Sequence, residues 1–119
     1  MVRPRYEEIM AGCESLAEHH SSLVAFDEIG RSEEGRPIPL LTVTDPEYPI
    51  SDKSVFLLTG GHHGSEETGR AVALAFARWL VEPQNILHCK RQAFLIIPCV
   101  NPDGAELNTY HNARDVNVS

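Results

Sequence analysis

Two histidines and two carboxylates, His62, His63, Glu66 and Glu67, stand together in the stretch Leu57-Leu58-Thr59-Gly60-Gly61-His62-His63-Gly64-Ser65-Glu66-Glu67-Thr68-Gly69. Imidazole nitrogen and carboxylate oxygen are both good zinc ligands. His63 and Glu66 lie three positions apart where an apolar run gives way to a helical pattern, so a strand-to-helix turn can aim both at one point. A catalytic zinc ordinarily has three protein ligands and a fourth position for water. His111 is the candidate third donor beyond the next apolar run, whereas His62, adjacent to His63, is expected to point elsewhere. Attack by metal-activated water on a carbonyl also calls for a carboxylate base, for which Glu67 and Asp103 are the candidates, and for a donor near the oxyanion. Asp103 has a competing use, because an Asp in a turn commonly bonds local backbone. The cluster also has a purely structural reading, with glycines making a tight turn and Ser65 and Glu66 capping a helix. Spacing alone does not choose between the two.

The elements around the cluster supply context. From Arg5 to about His20, Tyr6, Ile9, Met10, Cys13, Leu16 and Ala17 recur at helical spacing, with Pro4 suited to the first helical position. His19 and His20 end this helix, where polar or cationic residues are common. Leu23 to Ile29 and Ile38 to Thr44 flank a polar stretch bounded by Gly30 and Pro37, which predicts a β-hairpin. Asp45 to Lys53 reads as an irregular connection. Val55-Phe56-Leu57-Leu58 and Ala93-Phe94-Leu95-Ile96-Ile97 are continuous apolar runs, the pattern of strands covered on both faces. Between them, Val72, Phe76, Trp79 and Leu80 form a helical stripe with Arg70 and Arg78 outside it, and Pro83 marks its end. Gln84 to Arg91 is a short helix or irregular segment, and His88 within it carries no assigned role. Strand, helix and strand in this order predict a right-handed parallel βαβ unit. Sites in such sheets lie beyond the carboxyl ends of the strands, where both the histidine cluster and Asn101-Pro102-Asp103-Gly104 fall.

Composition limits the function classes. At 119 residues the chain is expected to be a single domain. Its 42% hydrophobic and 23% charged residues are those of an ordinary globular protein, and the strand–helix–strand order makes the expected class α/β. A net charge of -7 argues against a nucleic-acid partner. No run is long enough to predict a membrane span, and the first residues lack the apolar core of a signal peptide. Cys13, Cys89 and Cys99 fit neither a disulfide scaffold nor a four-cysteine metal site, which together with the missing signal leads to a cytoplasmic expectation.

Several motifs in order resemble the zinc carboxypeptidase family of metallopeptidases. Gly61-His62-His63-Gly64-Ser65-Glu66 is similar to its His-x-x-Glu motif, which implies Zn2+ as cofactor and His63 and Glu66 as its ligands. Gly30-Arg31-Ser32 with Glu34-Gly35-Arg36-Pro37-Ile38 resembles the family's N-terminal hairpin, and Asn101-Pro102-Asp103-Gly104 its turn after the next strand. Asp115-Val116-Asn117 resembles the start of its Asp-x-Asn-Arg segment, but Val118 stands where the carboxylate-gripping arginine is expected. The position of the oxyanion-stabilising arginine aligns nearest to His111, with Arg114 as a neighbouring substitute, so His111, Arg114 and Asn117 are the substrate-binding candidates.

The family's third zinc ligand and its general-base glutamate come from later in the domain, so the resemblance implies no complete catalytic set here. It implies a partial zinc carboxypeptidase-like fold covering residues 1–119, a mixed sheet with an N-terminal hairpin and a parallel βαβ unit flanked by helices, corresponding to the N-terminal portion of a catalytic domain. The implied activity is cleavage of C-terminal peptide bonds, incomplete in this chain alone. Acyl-amino-acid cleavage, as in the related aspartoacylase and succinylglutamate desuccinylase group, is the alternative, and a non-catalytic fragment acting by binding is a third. Missing flanking strands imply open sheet edges and self-association through them.

Overall fold

The computed structural model describes residues 5–63, 67–107, 112 and 114. Pro4 and Ser65, expected at two helix starts, lie outside them. Helix α1 spans Tyr6–His19. Glu7 and Glu8 in its first turn suit the positive end of the helix dipole, and Glu8 accepts the Arg5 N–H at 3.3 Å. Tyr6, Ile9, Cys13 and Leu16 are buried on one stripe, and the Tyr6 hydroxyl donates to the Pro37 carbonyl at 2.7 Å. His19 and the C-cap His20 close the helix as expected.

Strands β1 (Val24–Arg31) and β2 (Pro37–Val43) form the antiparallel hairpin, with a register shift between Glu28 and Gly30. The connection to β3 (Ser54–Thr59) contains a 3-10 turn at Ile50–Asp52. Helix α2 covers Glu67–Leu80, a 3-10 turn at Pro83–Asn85 follows, and the four-residue helix α3, His88–Arg91, leads into β4 (Gln92–Ile97). Asn85 ends α2 by donating from Nδ2 to the Trp79 carbonyl at 2.9 Å. Asn101 starts helix α4, Pro102–Leu107.

The four strands stand in the order β1-β2-β4-β3, with β2 antiparallel and β3 parallel to β4. One core cluster joins α1, the inner face of α2 and the sheet, through Ile9, Cys13, Leu41, Val43, Leu74, Ala77, Leu80 and Ile96 among others. Thus β4 has strands on both sides and buries Ala93, Phe94 and Ile96.

Two expectations are corrected. Among the described residues Val55–Leu58 is not covered on both faces: Val55, Phe56 and Leu57 are 57–61% exposed, and β3 is the outermost strand. Continuous apolarity records a strand suited to cover without saying whether the cover is present. The buried stripe of α2 also differs, since Arg70, Ala71, Ala73, Leu74, Ala77 and Leu80 face inward while Val72 and Trp79 are exposed. The small alanines let α2 approach the sheet, and the larger Val72 and Trp79 fall on the neighbouring face toward the open edge. Phe76 lies between the two, edge-on to Phe94 at 5.6 Å and stacked on Trp79 at 6.0 Å.

Candidate metal loop and its supports

The chain leaves β3 through Gly60 and Gly61, and the space there explains both glycines. A Cβ on Gly60 would lie 2.5 Å from the Gly69 carbonyl oxygen, against the start of α2. Gly61 has φ +68°, and a Cβ there would lie 2.8 Å from Arg70 Cγ and 3.1 Å from Cys99 Cα. The loop is therefore wedged between α2 and the segment after β4. Backbone hydrogen bonds fix it from that side: Gly60 N–H donates to Ile97, Val100 N–H to Gly60 and Asn101 N–H to Gly61, at 2.9, 2.9 and 3.0 Å.

Asn101 adds a side-chain bracket. Its Nδ2 donates to the His62 carbonyl at 3.1 Å, while its Oδ1 accepts the Gly104 N–H at 3.0 Å and so starts α4. Among the described residues Asp103 bonds no local backbone, which corrects the sequence expectation. It reaches back to the hairpin loop instead, accepting from Ser32 Oγ at 2.6 Å, Arg36 Nη1 at 2.9 Å and the Glu34 N–H at 3.1 Å. Asn101 already serves the helix start, and the 2% exposed Asp103 carboxylate is satisfied by a cation brought in from residue 36. Burial alone would raise its pKa, but the hydrogen bonds from Ser32, Arg36 and Glu34 outweigh that and hold it below the ordinary carboxylate value. A carboxylate so committed is a brace, not a general base.

His62 and His63 both emerge half-buried from this frame. His62 Nε2 shares a hydrogen bond of 2.9 Å with Thr59 Oγ1, and its Nδ1 is buried with no hydrogen-bond partner among the described residues. His62 is thus turned back along β3, away from the role of a competing donor. Cys99 lies beside Gly61, and burial pushes its thiol up to about 12. Among the described residues no three His, Cys, Asp or Glu side chains converge on a metal position. Glu66, His111 and Asn117 lie outside the described residues. Arg114 is within them and pairs with Glu33 of the hairpin loop at 3.1 Å. Glu67 opens α2.

The donor chemistry fits part of a zinc set: an imidazole at the carboxyl end of a parallel strand, on a loop held from below, with its neighbouring histidine engaged elsewhere. The brace from the Asn-Pro-Asp-Gly turn to the hairpin connects the motifs that the sequence resemblance had placed in order.

The model of the zinc carboxypeptidase family matches residues 9–117. The chain belongs to that family. It is 32% identical over 101 residues to cytosolic carboxypeptidase 6 of Mus musculus, covering 82% of this chain and 19% of that protein. Carboxypeptidase E of Caenorhabditis elegans is 36% identical over 87 residues, 67% of this chain and 18% of the relative. The solved structure of thrombin activatable fibrinolysis inhibitor superposes with a TM-score of 0.81 at 25% identity, over 91% of this chain and 29% of that one. Carboxypeptidase A from Helicoverpa armigera gives 0.79 at 25% identity, over 96% and 28%. The chain therefore has the carboxypeptidase fold over a portion of it, and spans about a fifth of the length of these sequence relatives.

Arg70, Asn101 and Asp103 are the functional supports that sequence reading missed or misassigned. The sequence pattern leaves Arg70 outside the apolar stripe of α2, yet it is 1% exposed beneath Gly61. The one available signal was the glycine pair opposite it, since two adjacent glycines ask what comes close.

Proposed function

We propose that this chain supplies the first part of a zinc-dependent carboxypeptidase-like site, with His63 and Glu66 as metal ligands and hydrolysis of C-terminal peptide bonds as the reaction it serves. The observation that carries this is the family match over residues 9–117 together with His63 at the end of β3, beside the Asn101 bracket. Zinc, when bound, would polarise a substrate carbonyl and lower the pKa of its water. The chain's own residues have simpler tasks. Gly61 and Asn101 fix the path of the loop, Thr59 holds His62 aside, and Asp103 ties the turn to the hairpin. His111, Arg114 and Asn117 are proposed to face the substrate, with Arg114 as the cation nearest to an oxyanion role.

Residues 1–119 are read as one domain portion, corresponding to the N-terminal part of a catalytic domain. The relatives are about five times as long as the matched region, so a third ligand and the base are assigned to polypeptide that this sequence does not include. A cytoplasmic setting is proposed on the match to cytosolic carboxypeptidase 6. The peptidase reading is preferred to acyl-amino-acid cleavage because the hairpin and Asn-Pro-Asp-Gly motifs are those joined by Asp103.

Metal content tests the ligands. The 119-residue chain, freed of metal and titrated with Zn2+ in a calorimeter, is expected to bind zinc weakly, and His63→Ala to lose that binding. Unchanged zinc binding in His63→Ala overturns the ligand assignment. The same chain should hydrolyse neither C-terminal peptide substrates nor acyl-amino acids, and robust turnover would overturn the proposed incompleteness.

A further inference from the structure

The loop of His63 and the turn of Asn101 stand at the carboxyl ends of β3 and β4. At the amino ends of the same strands, roughly 20 Å away, Ser54 and Gln92 open a cleft of 780 Å³ between α3 and the connection from β2 to β3. Both walls belong to the described residues, and they are bolted together beneath the cleft. The carbonyl of Cys89, a residue fully buried in α3, accepts the Asp45 N–H at 3.0 Å, and Lys53 Nζ donates to the same carbonyl at 3.0 Å. The cleft therefore owes its shape to these two segments and not to the outer side of β3.

Charge sets this cleft apart from the rest of the chain. The protein has 17 acidic residues against ten Lys and Arg, yet the cleft is lined by His88, Lys90 and Arg91 and by no carboxylate. Elsewhere Arg31, Arg36 and Arg114 are paired with Glu28, Asp103 and Glu33. Among the described residues Lys53, Lys90 and Arg91 have no carboxylate partner. The part-buried Lys53 donates to three neutral oxygens, Thr44 Oγ1 and the Asp45 and Cys89 carbonyls, at 2.6, 2.6 and 3.0 Å, while the Asp45 carboxylate is turned to the Glu47 N–H at 3.0 Å. A positive charge is thus left without a counter-charge in a place where charges are ordinarily paired. Cations of one sign along a concave wall focus the field and concentrate counter-ions.

The donors are also held in place. Lys90 Nζ, from one wall, lies 5.7 Å from the centre of the Tyr48 ring on the other. His88 is stacked on Trp79 with ring centroids 5.4 Å apart. Arg91 offers a planar fork suited to two oxygens at once, and Ser54 and Gln92 add neutral donors. Tyr48 and Leu87 supply apolar wall for the body that carries the anion. Several cations together favour an anion with more than one negative charge, which a phosphate monoester has and a single carboxylate lacks. We infer that this cleft binds a phosphate group carried by a small organic molecule or a lipid headgroup, with Lys90 and Arg91 as its main contacts and Lys53 as the fixed charge beneath them. The site shares no residue with the zinc reading and stands whether or not that reading holds.

Trp79 is the chain's one tryptophan, and its stacking on His88 makes it a reporter at the cleft. Titration of the 119-residue chain with pyrophosphate at constant ionic strength, followed by Trp79 fluorescence and by calorimetry, is expected to saturate at one site. Arg91→Gln and Lys90→Gln should each weaken binding by about tenfold, as for loss of one charge-assisted hydrogen bond, and Arg31→Gln on β1 should leave it unchanged, all three keeping the parent's circular dichroism. Vesicles of phosphatidylcholine with and without phosphatidic acid separate the two sources. Co-sedimentation that requires both phosphatidic acid and Arg91 places the phosphate on a lipid, whereas binding of pyrophosphate without co-sedimentation places it on a soluble molecule. No saturable response, an equal response to sodium chloride, or parent-like binding by both cleft variants would each overturn the proposal. Tighter binding of an oligo-aspartate peptide than of pyrophosphate would overturn the choice of phosphate. So would a longer polypeptide carrying these residues that fails to bind pyrophosphate, because its own chain would then fill the cleft.

Discussion

Strands β3 and β4 carry closely similar apolar runs, pair with each other in parallel, and end at two loops of one candidate site, yet the protein treats them in opposite ways. Strand β4 lies between β2 and β3, buries Phe94 and Ile96, and ends in a turn whose Asn101 and Asp103 are both buried and bonded. Strand β3 lies at the edge, leaves Val55, Phe56 and Leu57 open, and ends in a loop held largely by bonds from the β4 side. The lesson is one of dependence. The loop bearing His63 owes its shape to the turn after β4, so rigidity reaches the candidate metal position from the buried half of the unit.

The strongest way to break that asymmetry is to remove Asp103. Asp103→Ala leaves part-buried Arg36 and Ser32 and the Glu34 N–H without the one buried carboxylate that accepts from all three, and about 3 kcal/mol of stability should be lost with these charge-assisted hydrogen bonds. Urea unfolding measures it. A loss below about 1 kcal/mol would mean that the hairpin and the turn are held by something else. The carboxyl titrates below its ordinary value in the folded chain, so its stabilisation is present above the unfolded pKa, near 4, and disappears as pH falls through the lower folded value. Unfolding free energy should therefore fall on acidification below about pH 4, and Asp103→Asn should flatten that part of the profile. An identical acid limb in Asp103→Asn would assign it to other carboxylates.

The next contrast sets the strands themselves against each other. Ile96 is fully buried and Leu57 is 61% exposed. Ile96→Ala should cost about 2–5 kcal/mol through lost burial and a cavity, whereas Leu57→Ala should cost under about 1 kcal/mol in dilute, monomeric solution. If the two costs were equal, β3 would already be covered under the conditions of the measurement.

This pair also shows how far the sequence could be read. The α1 stripe, the hairpin, the parallel strands and their loops follow from periodicity and turn residues, because each is a local property of a few neighbouring side chains. Exposure of β3 is not local. Its residues satisfy the pattern of a covered strand, and only the strand order shows that among the described residues β3 is the outermost strand. Arg70 differs for a related reason: a charge predicts solvent, yet the side chain runs buried against Gly61, where the missing Cβ leaves room for it. Asp103 was read against nearby backbone, while its partners lie about seventy residues upstream. The pairing of His63 with Glu66 is an expectation from spacing and from the family's motif order, which name residue types and carry no sign of the brace beneath the loop that bears His63.

The smallest effect isolates what the loop's wedge contributes beyond backbone strain. Gly35 and Gly61 both have positive φ, +81° and +68°, but a Cβ on Gly35 would meet nothing within 4 Å, whereas one on Gly61 would press on Arg70 and Cys99. Gly35→Ala should therefore cost only the left-handed backbone penalty, about 1 kcal/mol. Gly61→Ala carries that penalty together with displacement of a buried arginine, for a total of about 2–3 kcal/mol. Thermal and urea unfolding of the two variants give the difference directly. A clear excess for Gly61 would mean that the loop bearing His63 is held by contact with Arg70 and Cys99 as well as by backbone geometry. Equal costs would mean that the buried side chains yield freely, and that the rigidity of the loop bearing His63 comes from its hydrogen bonds with Ile97, Val100 and Asn101 rather than from the wedge.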